Sequence, residues 1–168
     1  MKRILAIILG VSIHATMAGM ENPTNKITIQ EKVNYSSPQY DKEYNDYTIH
    51  ALLNTKKIGH ITYGPSKNPY VPKGSWSIKS LRVSNDYLKN KIGLKLFLQS
   101  VENIRAQKVL TINLVAVPLI DSLSKDVLIN IYLKMIKKID PNLIDKVTIR
   151  PWPSDETYKQ IIINLKKQ

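Results

Sequence analysis

The chain has 168 residues, no cysteine and a formal net charge of +12. A single domain of this size buries roughly 70% of its unfolded surface and needs no staple, and the lack of cysteine excludes disulfides, thiolate metal sites and a cysteine nucleophile. Its 25 basic residues include four arginines, Arg3, Arg82, Arg105 and Arg150, a balance that suits an anionic partner (a phosphate cofactor, nucleic acid or an acidic membrane face) and equally a lysine-rich surface that is merely solvated.

Met1-Lys2-Arg3 is a positive start, residues 4–13 are an apolar run, and Ala15-Thr16-Met17-Ala18 is a small-residue segment suited to cleavage after Ala18. Residues 1–18 therefore read as a secretory signal peptide, leaving one domain over 19–168 and an exported, periplasmic or secreted product. The run is shorter than the roughly 20 residues of a membrane-spanning helix. No later segment could span a bilayer, so no stable membrane span is expected after cleavage. An uncleaved anchor is the competing reading.

Residues 26–33 alternate as a strand carrying Ile27 and Ile29. Residues 35–45 hold Ser, Pro, Gln, Asp and Glu without periodicity and read as a loop with at most one helical turn. Residues 47–53 and 57–63 form a hairpin across Asn54-Thr55-Lys56. Pro65, Pro69 and Pro72 make 64–74 an exposed loop, because proline cannot donate to a strand ladder. Residues 75–83 are the next strand.

From 90 to 107, Leu94, Phe97, Leu98, Val101 and Ile104 recur at helical spacing, with Lys95, Gln99, Glu102 and Arg105 mostly outside the stripe. The nearly continuous apolar run at 109–117 is a central strand covered on both faces, ended by Pro118. Ser124 caps a second helix through Ile139, striped by Val127, Leu128, Ile131, Met135 and Ile139, and Asp140-Pro141 closes it. Strands at 146–150 and 158–165 follow, separated by a turn-rich stretch at 151–155; the last run also reads as a short helix. The order of elements gives an α/β sandwich with a mixed sheet.

The densest signal is Leu81-Arg82-Val83-Ser84-Asn85-Asp86-Tyr87-Leu88-Lys89-Asn90-Lys91-Ile92-Gly93-Leu94-Lys95-Leu96. A strand that feeds a helix N-terminus through a basic turn suits an anion, phosphate above all, because the first helical N–H groups are unpaired and the helix dipole favours negative charge there. This segment resembles the acyl-CoA-binding segment of the GNAT acetyltransferase superfamily, in which a strand ending in Val is followed by a Tyr and then by an Arg/Gln-x-x-Gly-x-Gly/Ala turn. In the turn Gly93 is kept, while Leu88 stands at the Arg or Gln and Lys91 at the first Gly.

The resemblance covers roughly residue 47 to the C-terminus. It implies an α/β fold with a mixed, mostly antiparallel central sheet flanked by helices, with acetyl-CoA as co-substrate and an amine as acceptor. It also implies that Leu81, Arg82 and Val83 offer backbone groups to the pantetheine arm. Lys89, Asn90, Lys91, Ile92, Gly93 and Leu94 would then hold the pyrophosphate on main-chain N–H groups, with Lys89, Lys91 and Lys95 adding charge. The family usually places two helices between its first two strands; this chain has only residues 35–45 there.

Tyr132, in Asn130-Ile131-Tyr132-Leu133-Lys134-Met135, matches the Tyr of the family's Leu-Tyr-x-x-x-Gly-Phe pattern, with Ile136 and Lys137 replacing Gly and Phe. The resemblance makes it the acid that protonates the leaving thiolate; beside an apolar stripe it also reads as a packed tyrosine. No carboxylate lies in the 75–83 strand, so the base has no assigned residue. His50 and His60 sit at almost equal distance from the hairpin turn and are expected to be cross-strand neighbours able to share a metal or a proton, but no third ligand stands at a recognisable spacing and no metal site is expected. Trp152, flanked by prolines, packs or rims a pocket. Two functions follow: a GNAT-type N-acetyltransferase, or an exported, non-catalytic relative with a decayed CoA cleft and a basic surface for an anionic macromolecule.

Overall fold

In a computed structural model, residues 32–116, 125–153 and 155–167 are described. The signal peptide expected at 1–18, most of the strand expected at 26–33, Pro118 and Ser124 lie outside the described residues. The strands are β1 (Val33–Tyr35), β2 (Gln39–Asp41), β3 (Asp46–Leu53), β4 (Lys56–Pro65), β5 (Trp76–Val83), β6 (Thr111–Ala116), β7 (Ile144–Trp152) and β8 (Asp155–Leu165), and the helices are α1 (Ile92–Ala106) and α2 (Lys125–Ile136). They form a single sheet in the order β1-β3-β4-β5-β6-β8-β7, with β2 also on β3. Among the described residues only β5 and β6 pair in parallel, so the sheet is mixed and mostly antiparallel.

The expected hairpin is β3 and β4, turning at Asn54, whose φ of 56° puts it in the left-handed region that asparagine tolerates. The segment read as a loop at 35–45 holds β2, a fully exposed three-residue strand paired to β3 from Gln39↔Thr48 to Asp41↔Asp46. A strand that short, with no buried side, leaves no alternation to read. Asp41 closes the following turn by accepting from the backbone N–H groups of Glu43 at 2.9 Å and Tyr44 at 3.3 Å. Pro65 belongs to the end of β4 rather than to the loop, since a terminal position needs no further donor.

β8 is a strand throughout, not a helix, and it inserts between β6 and β7. Its Ile161, Ile162 and Ile163 are all buried, as suits an inner strand flanked by β6 and β7, which is why its sequence does not alternate. Pro151 is tolerated because β7 is an edge strand and carries a bulge at Pro151/Trp152.

Register assigns the faces. Directly paired residues share a side, so Ile49, Ala51, Ile61, Tyr63, Leu81, Ile112, Leu114, Ile161 and Ile163 make one apolar face. α1 packs on β4, β5 and β3, α2 on β6 and β8, and the helices touch each other, so both cover this face. The opposite face of β3, β4 and β5 carries Asp46, Thr48, His50, His60, Thr62, Ser80 and Arg82. Among the described residues no helix covers that side, and none is long and apolar enough to cross a membrane.

Candidate active site

β5 is laced to β4 from Pro65↔Trp76 to Gly59↔Val83, whereas its parallel pairing to β6 consists of Trp76↔Ile112 and Ser77↔Asn113. Among the described residues, no strand pairs with the other edge of β5 from Ile78 to Val83. The parallel pairing thus stops at Ser77 and the sheet splays along the part of β5 that leads into α1. A bulge between Thr62 and Tyr63 in the β4 pairing leaves Lys79 as the extra residue of β5; such bulges bend a strand and raise its twist.

At the closed end of the split, side chains continue the join on the polar face. Asn113 Nδ2 donates to Ser77 Oγ at 3.1 Å, and Ser77 Oγ donates to Ser66 Oγ at 2.8 Å. From the other half, Gln160 Nε2 donates to Asn113 Oδ1 at 2.7 Å and Arg150 Nε donates to Gln160 Oε1 at 2.9 Å. The Arg150 guanidinium also donates to the Tyr70 carbonyl, which pulls the loop after β4 over the junction. Asn113 is 3% exposed and Gln160 fully buried, so these bonds satisfy groups that would otherwise be costly inside the protein. Sequence reasoning missed the network. Its signal was a lone Asn within an apolar strand, since a buried amide needs partners.

At the open end, a 3-10 segment (Asn85–Asn90) follows β5 and Lys91 starts α1. Lys91 has φ 54° and ψ 14°, the left-handed conformation, and makes no side-chain cap bond. That conformation explains why a glycine suits this position and why a lysine there is strained, by about 1 kcal/mol or somewhat more. The first helical bond runs from Lys95 N–H to the Lys91 carbonyl at 3.1 Å. The N–H groups of Ile92, Gly93 and Leu94 consequently have no acceptor within the helix.

Of the expected cofactor residues, Leu81 and Val83 are buried on the helix-covered side and Arg82 is exposed on the polar face, leaving only their backbone for a ligand at the strand edge. Lys89 and Lys91 are exposed, Ile92 and Gly93 are buried, and Asn90 and Leu94 are partly buried. Asn90 Nδ2 donates to the Tyr87 carbonyl at 3.4 Å, which ties the turn to itself. Lys95 lies over the Tyr35 ring, 5.8 Å from its centroid, so its charge is directed at β1.

Tyr132 lies on α2 and is 7% exposed within the core, where burial pushes its phenol up to about 12. Tyr63 is completely buried with its hydroxyl unpartnered among the described residues, and burial raises its phenol as well. It packs against Tyr47, 5.9 Å away by ring centroid, and Trp76, 6.2 Å away, which also stack on each other at 5.6 Å. Trp152 rests against Tyr158, with centroids 6.2 Å apart, at the β7–β8 hairpin end. His50 and His60 are direct cross-strand partners, their ring centroids 6.3 Å apart. Among the described residues there is no cluster of three metal-ligating side chains.

No family model matches the chain, and no curated protein matches it. Solved structures do match. A protein from Klebsiella pneumoniae assigned as an acyl-CoA N-acyltransferase is 12% identical, with a TM-score of 0.53 over 75% of this chain and 77% of that one. A GNAT-family acetyltransferase from Staphylococcus aureus is 18% identical, with a TM-score of 0.51 over 74% of each chain. A protein from Desulfovibrio desulfuricans assigned to the same family is 14% identical, with a TM-score of 0.50 over 74% of this chain and 70% of that one. At these identities the likeness is one of architecture: the chain has the GNAT fold, a mixed and mostly antiparallel sheet flanked by helices.

Proposed function

We propose that the protein is an N-acetyltransferase that moves the acetyl group of acetyl-CoA to an amine. The observation that carries this reading is the splay between β5 and β6, with the uncapped N-terminus of α1 following directly from β5. The free edge of β5 at Leu81, Arg82 and Val83 suits an extended amide-bearing arm, since an unpaired strand edge offers N–H and C=O groups in alternation. The N–H groups of Ile92, Gly93 and Leu94 hold the pyrophosphate, assisted by Lys89 and Lys91, with Asn90 bracing the turn.

In the transfer, the amine nitrogen attacks the acetyl carbon, the N–C bond forms, the C–S bond breaks and the sulfur leaves as thiolate. The proton lost by the amine passes to water, the Tyr132 phenol donates a hydrogen bond to the sulfur as the C–S bond breaks, and the thiolate then takes its proton from solvent. With its pKa near 12, Tyr132 stays protonated at neutral pH. It is also a weaker acid than an ordinary thiol at about 8.5, so its role centres on a hydrogen bond to sulfur while the C–S bond is breaking. Thiol release from acetyl-CoA across a panel of amines tests the reaction. Tyr132→Phe lowers kcat by about 10²-fold and changes KM less, as for a group acting in the transition state; equal, small changes in both constants remove Tyr132 from the mechanism.

Lys91 at a left-handed position favours the second reading, a non-catalytic module whose cleft has decayed and whose basic surface takes an anionic macromolecule. Failure to bind any acyl-CoA is its mark. Export belongs to both readings and rests on residues 1–18. N-terminal sequencing of the protein from its cell envelope or medium should begin at Gly19; a chain that still begins at Met1 contradicts it.

A further inference from the structure

The face of β3, β4 and β5 away from the helices is ordered in rows. Antiparallel register sets His50 opposite His60 and His60 opposite Arg82, so three basic side chains lie in one line across three strands. The adjacent line is hydroxylic: Thr48 is opposite Thr62, and Thr62 is opposite Ser80. Thr48 and Thr62 join through their hydroxyls at 3.1 Å, and Ser80 Oγ lies 3.3 Å from His60 Nε2. Lys57 brings a further cation to the end of the basic row, its Nζ 3.5 Å from His50 Nε2.

This line has cations and donors but no counter-charge. Asp46 is on the same face, yet it is engaged by Lys79. Among the described residues no carboxylate pairs with His50, Lys57, His60 or Arg82. His60 is partly buried, and desolvation, with smaller contributions from its neighbours Arg82, His50 and Lys57, holds its imidazole below the ordinary range; His50 is lowered by desolvation and by Lys57. His50 Nδ1 is also buried without a hydrogen-bond partner. A divalent cation suits the row poorly, because Lys57 and Arg82 repel it and a third ligand is missing. An oxyanion answers the missing counter-charge: it accepts from the guanidinium in bidentate fashion, accepts from an imidazole N–H group and offsets the coulombic part of what lowers the histidines.

We infer that His50, His60 and Arg82 form a binding site for a small-molecule oxyanion, a phosphoryl or carboxylate group, on the open face of the sheet. The inference is independent of acyl transfer. Because the anion favours imidazolium, binding takes up protons and tightens as pH falls through the histidine range.

The test follows the ring C–H resonances of the two histidines by NMR at pH 6, in a chloride buffer of constant ionic strength, while inorganic phosphate or succinate is added. Saturable shifts of both histidines are expected with at least one of the two anions, and which anion acts identifies the source of the group. Affinity should fall by about tenfold or more in Arg82→Gln and in His60→Gln, with unchanged far-UV and thermal unfolding showing that each variant is folded. Arg105→Gln, outside the row, should titrate like the parent. Non-saturating shifts with both anions, or saturation that survives both row substitutions, overturns the site. Binding detected by calorimetry that moves neither histidine also overturns it and places the anion elsewhere.

Discussion

The two edges of β5 are built from the same eight residues and behave differently. Toward β4 the strand is paired from Trp76 to Val83, interrupted only by the bulge at Lys79, and the packing there is close enough that a Cβ on Gly59 would come within 2.8 Å of the Arg82 carbonyl and 3.5 Å of Leu96 Cδ1. Toward β6 it is joined by two residue pairs, and among the described residues no strand pairs with the rest of that edge. The lesson is that the opening is specified. A buried amide network locks the two halves at one point, α1 clamps the closed side, and the divergence is confined to the stretch that leads to the α1 N-terminus.

The comparison breaks most severely at the clamp. Leu96 is fully buried on α1 over Gly59, and Leu96→Ala should cost about 2–5 kcal/mol, read from the denaturation midpoint at unchanged m-value. A loss below 1 kcal/mol would mean that α1 does not hold the closed edge. Next comes the lock. Asn113→Ala leaves the buried amide of Gln160 and the hydroxyl of Ser77 without a shared partner, and should cost about 1–3 kcal/mol. Thr111→Ala, which loses one partly buried bond to Asn164 at 3.3 Å, should cost less. Equal losses would show that the junction is not fixed by the network.

A smaller effect of opposite sign sharpens the open end. Lys91→Gly removes a side chain from a left-handed position and should stabilise the fold by about 1 kcal/mol, less the entropy glycine adds to the unfolded chain, or about 2–4 °C in Tm for a domain of this size. An unchanged or lowered Tm would count against strain at that residue. The smallest effect is the pH dependence from the polar face. His50 and His60 both have lowered values in the fold, so the unfolded chain binds more protons below its own histidine value of about 6.5. Their contribution is complete above that pH and is lost as pH falls through it toward the folded values. In phosphate-free buffer, His60→Gln should flatten the decline in stability between pH 7 and 5.5; an unchanged slope would mean that His60 is not held neutral.

Much of the architecture was legible because its periodicities are strong. The β3–β4 hairpin shows alternation about a polar turn, and α1 shows the stripe through Phe97, Val101 and Ile104, so their positions are fixed locally. β2 was not legible, because three exposed residues paired on one edge carry no pattern. The extent of β8 and its place between β6 and β7 depend on nonlocal pairing, which a run of isoleucines cannot express. At the site, the strand-to-helix turn was readable from Val83, Tyr87 and Gly93, and the cross-strand histidines from their equal distance to the turn. The left-handed geometry of Lys91 was legible only through the glycine that the resemblance puts at that position, since a lysine rarely adopts it. The Asn113–Gln160 bond, which joins residues 47 positions apart, was not legible.

The most direct test of the central claim, that the opening beside β5 is an acyl-CoA cleft, is calorimetric titration of the protein with acetyl-CoA, using ATP as the matched polyanion. The account predicts saturable binding of acetyl-CoA that exceeds ATP binding and is lost when Gly93 is replaced by a bulky residue in a protein that remains folded. Absent binding, or equal binding of the two ligands, would contradict it.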